Sequence, residues 1–267
     1  MYTKKDIIEQ LEKMNAPRNS IVTVHTSLRS VGEVDGGGEA LLDVLIEYFT
    51  SEGGLLGIPT HTWGNIKKQD VITLDMVEPY TNLGALPSMA AADKRGVRSE
   101  HPTHSMTVYG DRKRAQAFVA DDANATTPAP REGCYGKIYD NKGYILLIGV
   151  AQSRNTYLHC VEEMLDVPDR LTEEFRRLTV RKESSEIVER YMKTHKTSFT
   201  KDLSARFIQY DTAFRYHGCI TDGFIGNAPA QLCDAVKLKE TVELIFKNSG
   251  GEDPLSTELP IPPKWYC

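Results

Sequence analysis

Three short stretches of the chain gather residue types that could do chemistry. The first, His25-Thr26-Ser27-Leu28-Arg29-Ser30-Val31-Gly32, runs on to Gly36-Gly37-Gly38 just ahead of an apolar helical pattern. Hydroxyls and glycines where a strand opens into a helix supply unpaired backbone N–H groups and a positive dipole end, which suit a phosphate or pyrophosphate. Glycine also lets the backbone approach a ligand closely. The spacing is neither G-x-G-x-x-G nor a Walker loop, so nicotinamide or nucleoside-triphosphate binding is not signalled. A flexible turn that only caps the helix fits the same residues. The second stretch, Arg98-Ser99-Glu100-His101-Pro102-Thr103-His104-Ser105, sets two histidines, a carboxylate and several hydroxyls before a strand. Pro102 makes a helical H-x-x-H ligand face improbable, and the metalloprotease pattern is absent. Histidines satisfied by loop carbonyls are the plain alternative. The third, Asn155-Thr156-Tyr157-Leu158-His159-Cys160-Val161-Glu162-Glu163, places carboxylates three and four residues after a histidine. On a helix these share a face, so Glu162 or Glu163 could orient His159 as a general base at neutral pH. An ordinary surface ion pair would have the same spacing. Cys160 points to a different face from His159 and reads as a small core residue.

Elements must hold these stretches in place. Thr3 and Asp6 have the spacing of a capping box, followed by Ile7, Ile8, Leu11 and Met14 at helical intervals. Ile21–Val24 reads as a strand, Leu41–Phe49 as a helix and Leu55–Ile58 as a second strand, which makes a βαβ unit. Residues 61–79 read as an irregular excursion, and Pro87 as the first residue of a short helix. Met106–Tyr109, Arg112–Val119, Tyr144–Val150 and residues 156–165 read as strand, helix, strand and helix. Residues 175–200 are charged and weakly periodic, as at a sheet edge. Strands at 219–225 and 231–235 and a helix near 238–247 close the pattern. The expected fold is α/β, with a mixed, largely parallel central sheet flanked by helices in αβα layers, plus inserted irregular or β segments. Residues 1–267 read as one domain, with a variable insertion at about 170–217.

Composition bounds the function. The 267 residues carry 32 Lys+Arg against 37 Asp+Glu, a net charge of −5, without the basic stripe of a nucleic-acid or anionic-membrane binder. The five cysteines at scattered spacings fit no disulfide framework or zinc ribbon and are expected as reduced thiols in a cytoplasmic protein. No apolar run follows the two N-terminal lysines, and none approaches the ~18 residues of a membrane span, so neither secretion nor membrane insertion is expected.

Taken in order, these stretches resemble the aminoglycoside 3-N-acetyltransferase family. The resemblance rests on the His/Ser/Leu/Arg–Val-Gly–Gly-Gly opening, the Arg-Ser-x-His-Pro-x-His-Ser block, and Gly149 followed by Asn155-Thr-x-x-His159-x-x-Glu162. Cys134-Tyr135-Gly136-Lys137 stands in place of the family's Ser-Pro-x-Gly-Lys/Arg turn, and Gly223-Phe224-Ile225-Gly226-Asn227-Ala228 resembles its C-terminal signature. The match runs from about Val24 to Val242. It implies acetyl transfer from acetyl-CoA to the 3-amino group of a 2-deoxystreptamine aminoglycoside, without a metal and without a covalent acyl-enzyme. It further implies His159 as base, with Glu162 and Asp211 as catalytic carboxylates. Thr26, Ser27, Leu28, Arg29, Val31, Gly32, Gly36, Gly37, His104 and Ser105 would hold the CoA side, and Ser105 could donate to the oxyanion. Trp63, Glu163 and Asp211 would meet the acceptor. The chain would act as a monomer or homodimer. Departures from the family pattern lie at Cys134-Tyr135, at Thr62-Trp63-Gly64, which lacks an acidic residue, and across residues 176–216. Other readings of the same residues are an acyltransferase of another amine, a CoA-binding protein without that activity, and a metal-dependent hydrolase built on His101, His104 and His159.

Overall fold

The structure is a computed structural model that describes residues 1–68, 71–196 and 203–267. Its strands are β1 (Ile21–Thr26), β2 (Leu55–Pro59), β3 (Leu74–Asp75), β4 (Val97–Arg98), β5 (Met106–Tyr109), β6 (Tyr144–Ile148), β7 (Arg176–Arg181), β8 (Ile187–Met192), β9 (Ile220–Ile225) and β10 (Ala228–Asp234). Its helices are α1 (Lys4–Lys13), α2 (Leu28–Val31), α3 (Gly37–Thr50), α4 (Ala85–Ala92), α5 (Arg112–Val119), α6 (Cys134–Asp140), α7 (Tyr157–Met164), α8 (Asp211–Tyr216) and α9 (Ala235–Asn248). The Thr3–Asp6 capping box forms as the spacing implies, and α4 starts two residues before Pro87.

Seven strands form the main sheet in the order β4-β5-β2-β1-β6-β10-β9. The parallel part is confined to β2-β1-β6, whose strands are joined by crossovers. The other four pairs are antiparallel, so the sheet is mixed but not largely parallel as expected. The tight β9–β10 return at Gly226-Asn227 makes one of these antiparallel pairs, a short connection that only antiparallel neighbours allow.

Period-2 alternation divides the core between two helix layers. Val22, Val24, Leu56, Ile58, Leu146 and Ile148 face the layer containing α1, α3 and α4. Ile21, Leu55, Ile145 and Leu147 face the layer containing α5, α6, α7, α8 and α9. Because β1 and β6 are covered on both sides, their sequences read as nearly continuous apolar runs.

The charged segment after Pro168 forms the β7–β8 hairpin, which pairs with β3 in a separate three-stranded sheet over a small core of Leu74, Met76 and Val180. Residues 69–70 of the 61–79 excursion and 197–202 of the expected insertion lie outside the described residues.

Candidate active site

The base candidate sits one turn into α7. Tyr157, Leu158, Cys160 and Val161 are buried in the core and fix the rotation of that helix. His159 Nδ1 then lies 3.8 Å from Glu162 Oε2. That is within ion-pair range but longer than a hydrogen bond. Glu162 Oε2 has no hydrogen-bond partner of its own and is aimed at the imidazole. Glu162 Oε1 accepts from Arg170 Nε at 2.6 Å, and Arg170 clasps Asp253 with both terminal nitrogens at 2.9 and 2.8 Å. The result is a chain Asp253–Arg170–Glu162–His159. Burial pushes the Glu162 carboxyl up to about 7 against the pull of Arg170. Burial also works to lower Arg170, but Asp253 and Glu162 outweigh it and hold the guanidinium above its ordinary value.

Around His159 the fold gathers imidazoles from three other segments. The His195 ring lies 4.1 Å from it, His104 lies 5.4 Å from His195, and His61 and His101 lie 4.6 and 5.8 Å from His104. Phe207 closes the other side of His159 at 4.8 Å. His61 Nε2 bonds the Tyr135 hydroxyl at 2.7 Å, tying the C-terminal end of β2 to α6. Both nitrogens of His101 are used within its own surroundings. Nε2 donates to the Thr127 carbonyl at 3.0 Å, and Nδ1 accepts from the N–H groups of Thr103 and His104. Those partners require the neutral Nε2–H tautomer and remove His101 as a metal ligand. Among the described residues, no three His, Cys, Asp or Glu side chains are grouped to hold a metal ion.

Burial keeps four of the histidines neutral. It lowers His25 to about 4 and His101 below its usual range, and it drives His61 and His104 far down with help from neighbouring imidazoles. Depressed histidines bind fewer protons when folded, so their contribution is lost as pH falls below ~6.5. Glu162 and Glu163, both raised by burial from 4.5 to about 7, work in the opposite direction between those values. The depressed imidazoles outnumber the raised carboxyls, so unfolding takes up protons below pH ~6.5, and stability should fall on acidification from pH ~6.5 to ~5.5. Denaturant titrations at pH 6.5 and 5.5 measure the slope, and equal midpoints would contradict it.

The glycine-rich loop leaves the C-terminal end of β1 as the one-turn α2 and enters α3. Gly32, Gly36 and Gly37 all have positive φ, and no side chain caps α3, so its first turn has N–H groups to offer. Gly37 is exposed at φ +73°, with open space where a Cβ would stand. The loop is held from below. Val31 is buried in the core and its carbonyl accepts from Asn227 N–H at 2.9 Å. Gly226 approaches that carbonyl so closely that a Cβ would lie 2.3 Å from it. The Gly-Phe-Ile-Gly-Asn-Ala stretch is therefore the β9–β10 turn that supports this loop. Leu28 packs on the core, Thr26 and Ser27 are half-buried, and Arg29 is exposed beside them.

The remaining expected site residues separate. Ser105 is fully buried and donates its hydroxyl to the Thr60 carbonyl at 2.7 Å, a result of β5 running antiparallel beside β2. Its hydroxyl proton is thus engaged by that carbonyl, with Thr60 Oγ1 3.1 Å away. His104 belongs to the imidazole group, with Nδ1 against the Thr103 hydroxyl at 2.8 Å. Glu163 turns away from His159, and its carboxylate accepts from Thr127 Oγ1 and from Ala129 N–H at 2.9 Å. Asp211, at the start of α8, is bound by Arg215 at 2.6 Å and Gln231 at 3.2 Å. It stands behind a surface cleft lined by Arg215, Asp222, Phe224 and Gln231, while the carboxylate facing His159 is Glu162. Trp63 is 48% exposed at the head of a short 3-10 turn. Sequence reasoning passed over His61, His195, Arg170 and Asp253. His61 had a usable signal, since it follows the C-terminal end of a parallel strand, where α/β sites collect.

A carboxylate-held imidazole and a glycine-rich strand-to-helix entry in one fold suit a protein that moves an acyl group to a nucleophile. The family model for aminoglycoside 3-N-acetyltransferase matches residues 23–247, and the chain belongs to that family. It is 26% identical over 179 residues to the SPbeta prophage-derived aminoglycoside N(3')-acetyltransferase-like protein YokD of Bacillus subtilis, covering 60% of this chain and 64% of that one. It is 25% identical over 187 residues to aminoglycoside N(3)-acetyltransferase III of a Salmonella species, covering 64% and 63%. These matches thus span just under two thirds of the relatives' length. Among solved structures, AAC-IIIb in a binary complex with CoASH superposes with a TM-score of 0.78 at 19% identity over 94% of this chain and 99% of that one, which shows the shared fold.

Proposed function

We propose that the chain is an acetyl-CoA-dependent N-acetyltransferase that modifies the 3-amino group of 2-deoxystreptamine aminoglycosides. The observation that carries this reading is the His159–Glu162–Arg170–Asp253 chain within this family's fold. The names of the relatives and the CoASH complex of a structural neighbour support both substrates. Five free cysteines, four of them buried, suit work in the reducing cytoplasm.

Amide formation removes two protons from the acceptor ammonium. One goes to solvent, and the second passes to His159 as the nitrogen attacks the thioester carbon. The imidazolium, faced by Glu162, then returns that proton to the departing CoA sulfur. Amine and thioester react directly once held together. The CoA pyrophosphate would rest on the Ser27–Gly38 loop and the first turn of α3, with Arg29 adding a charge-assisted contact. Free-thiol release from acetyl-CoA across a panel of aminoglycosides and simple amines tests the proposal. Turnover with simple amines alone would assign a different acceptor, and no turnover with any amine would refute it.

The loop assignment makes its own prediction. Gly37→Val forces a β-branched residue into left-handed backbone, a strain of about 1–2 kcal/mol. Calorimetry should show acetyl-CoA affinity falling about 10-fold, with aminoglycoside affinity unchanged. A larger loss for the aminoglycoside would refute the assignment.

A further inference from the structure

Glu163 adjoins the carboxylate that holds the base, yet it grips a different part of the molecule. Its carboxylate takes the Thr127 hydroxyl and the Ala129 N–H, the two ends of one short turn. Pro128 and Pro130 fix φ within and just after that turn. The same turn is held from two further directions. The Thr127 carbonyl accepts His101 Nε2–H at 3.0 Å. The Thr126 carbonyl accepts Lys193 N–H at 2.8 Å, two residues before His195. His101 in turn receives the N–H of His104 at 3.0 Å, and the rings of His104, His195 and His159 follow at 5.4 and 4.1 Å. The Thr126–Ala129 turn therefore links three segments that have no sequence continuity: α7 with the base, the 101–104 loop, and the strand exit carrying His195. Glu163 is the α7 side chain that fastens it.

Resting on the acetyl transfer proposed above, we infer that Glu163 is a positioning residue that locks the base helix to the imidazole wall, rather than a ligand of the acceptor amine. Two substitutions grade the effect. Glu163→Gln keeps one acceptor oxygen for the turn, and Glu163→Leu keeps none. The expected result is a kcat about 10-fold lower in the first and about 10²-fold lower in the second, the cost of a displacement near 1 Å. KM for acetyl-CoA and for the acceptor should stay at wild-type values. Imidazole 1H–15N correlation spectra should show His101 as a single Nε2–H tautomer in the wild type and as a tautomer mixture in Glu163→Leu.

Thr127→Val removes only the hydroxyl and should shift kcat and the His101 spectrum in the same direction by less. It carries the test if Glu163→Leu does not fold. Wild-type kcat in Glu163→Leu, or a lowered kcat with His101 unchanged, would overturn the assignment. So would a raised acceptor KM with kcat retained, which would place Glu163 against substrate. If the wild type turned over no amine, acetyl transfer itself would fail, while the His101 spectra would still decide whether Glu163 positions that wall.

Discussion

His159→Ala is expected to lower kcat for acetyl transfer by about 10²–10⁴-fold, the usual worth of a positioned base, with acetyl-CoA affinity unchanged. The charge arithmetic of its partners explains why the histidine suits that role. Once Glu162 ionises, at and above about pH 7, it and Asp253 carry two negative charges against the single positive charge of Arg170, so the chain is net negative while His159 is neutral. It becomes neutral only when His159 takes up a proton, the state reached as the amine attacks. Glu162 Oε2, free of other hydrogen bonds at 3.8 Å from Nδ1, needs only a small closure to accept the imidazolium N–H. Single-turnover measurements of CoA thiol release isolate the chemical step. Turnover in His159→Ala within a factor of two of wild type would remove this residue from the mechanism. Loss of acetyl-CoA affinity together with kcat would instead make it a binding residue.

Local signals were legible in the sequence, and distant ones were not. The Thr3–Asp6 cap, the apolar face of α3 and the continuous run of β6 each depend on neighbours a few residues apart, and all formed as the spacing implied. The His159–Glu162 pair was legible for the same reason, since both residues share one helical turn. The carboxylate beyond it was not. Arg170 meets Asp253 across 83 residues of sequence, and no periodicity links a loop arginine to an aspartate near the C-terminus. Asp211 comes from the resemblance, as the match to a late acidic residue within Gln209-Tyr210-Asp211, and its carboxylate is held by Arg215 on its own helix. The two-residue β3 is too short to show a period, so its pairing with β7, sealed by Asp75 and Arg181 across 106 residues, could not be read in advance. The antiparallel flanks of the main sheet were hidden similarly, because buried strands look apolar whichever way they run.

Arg170→Met should be the most destabilising single change in the site. The guanidinium is 4% exposed and satisfies Glu162 and Asp253 together. Removing it leaves buried Glu162 without a counter-charge and Asp253 with Arg206 as the cation still favouring its charge, a loss of about 3–5 kcal/mol. For a chain of this size that corresponds to a Tm lower by roughly 10 °C. The pH dependence identifies the cause. Burial already raises Glu162 to about 7 with Arg170 present, and without the guanidinium its carboxyl must rise further. A raised carboxyl pKa favours the folded state at pH values where that carboxyl is protonated. The gap in Tm between variant and wild type should therefore be large at pH 8 and smaller at pH 5.5, even though both proteins lose stability on acidification. A gap independent of pH would mean that Arg170 contributes packing rather than charge. A wild-type Tm at pH 8 would show that the Asp253–Arg170–Glu162 chain has little energetic weight, and that His159 is held by its place on α7 alone.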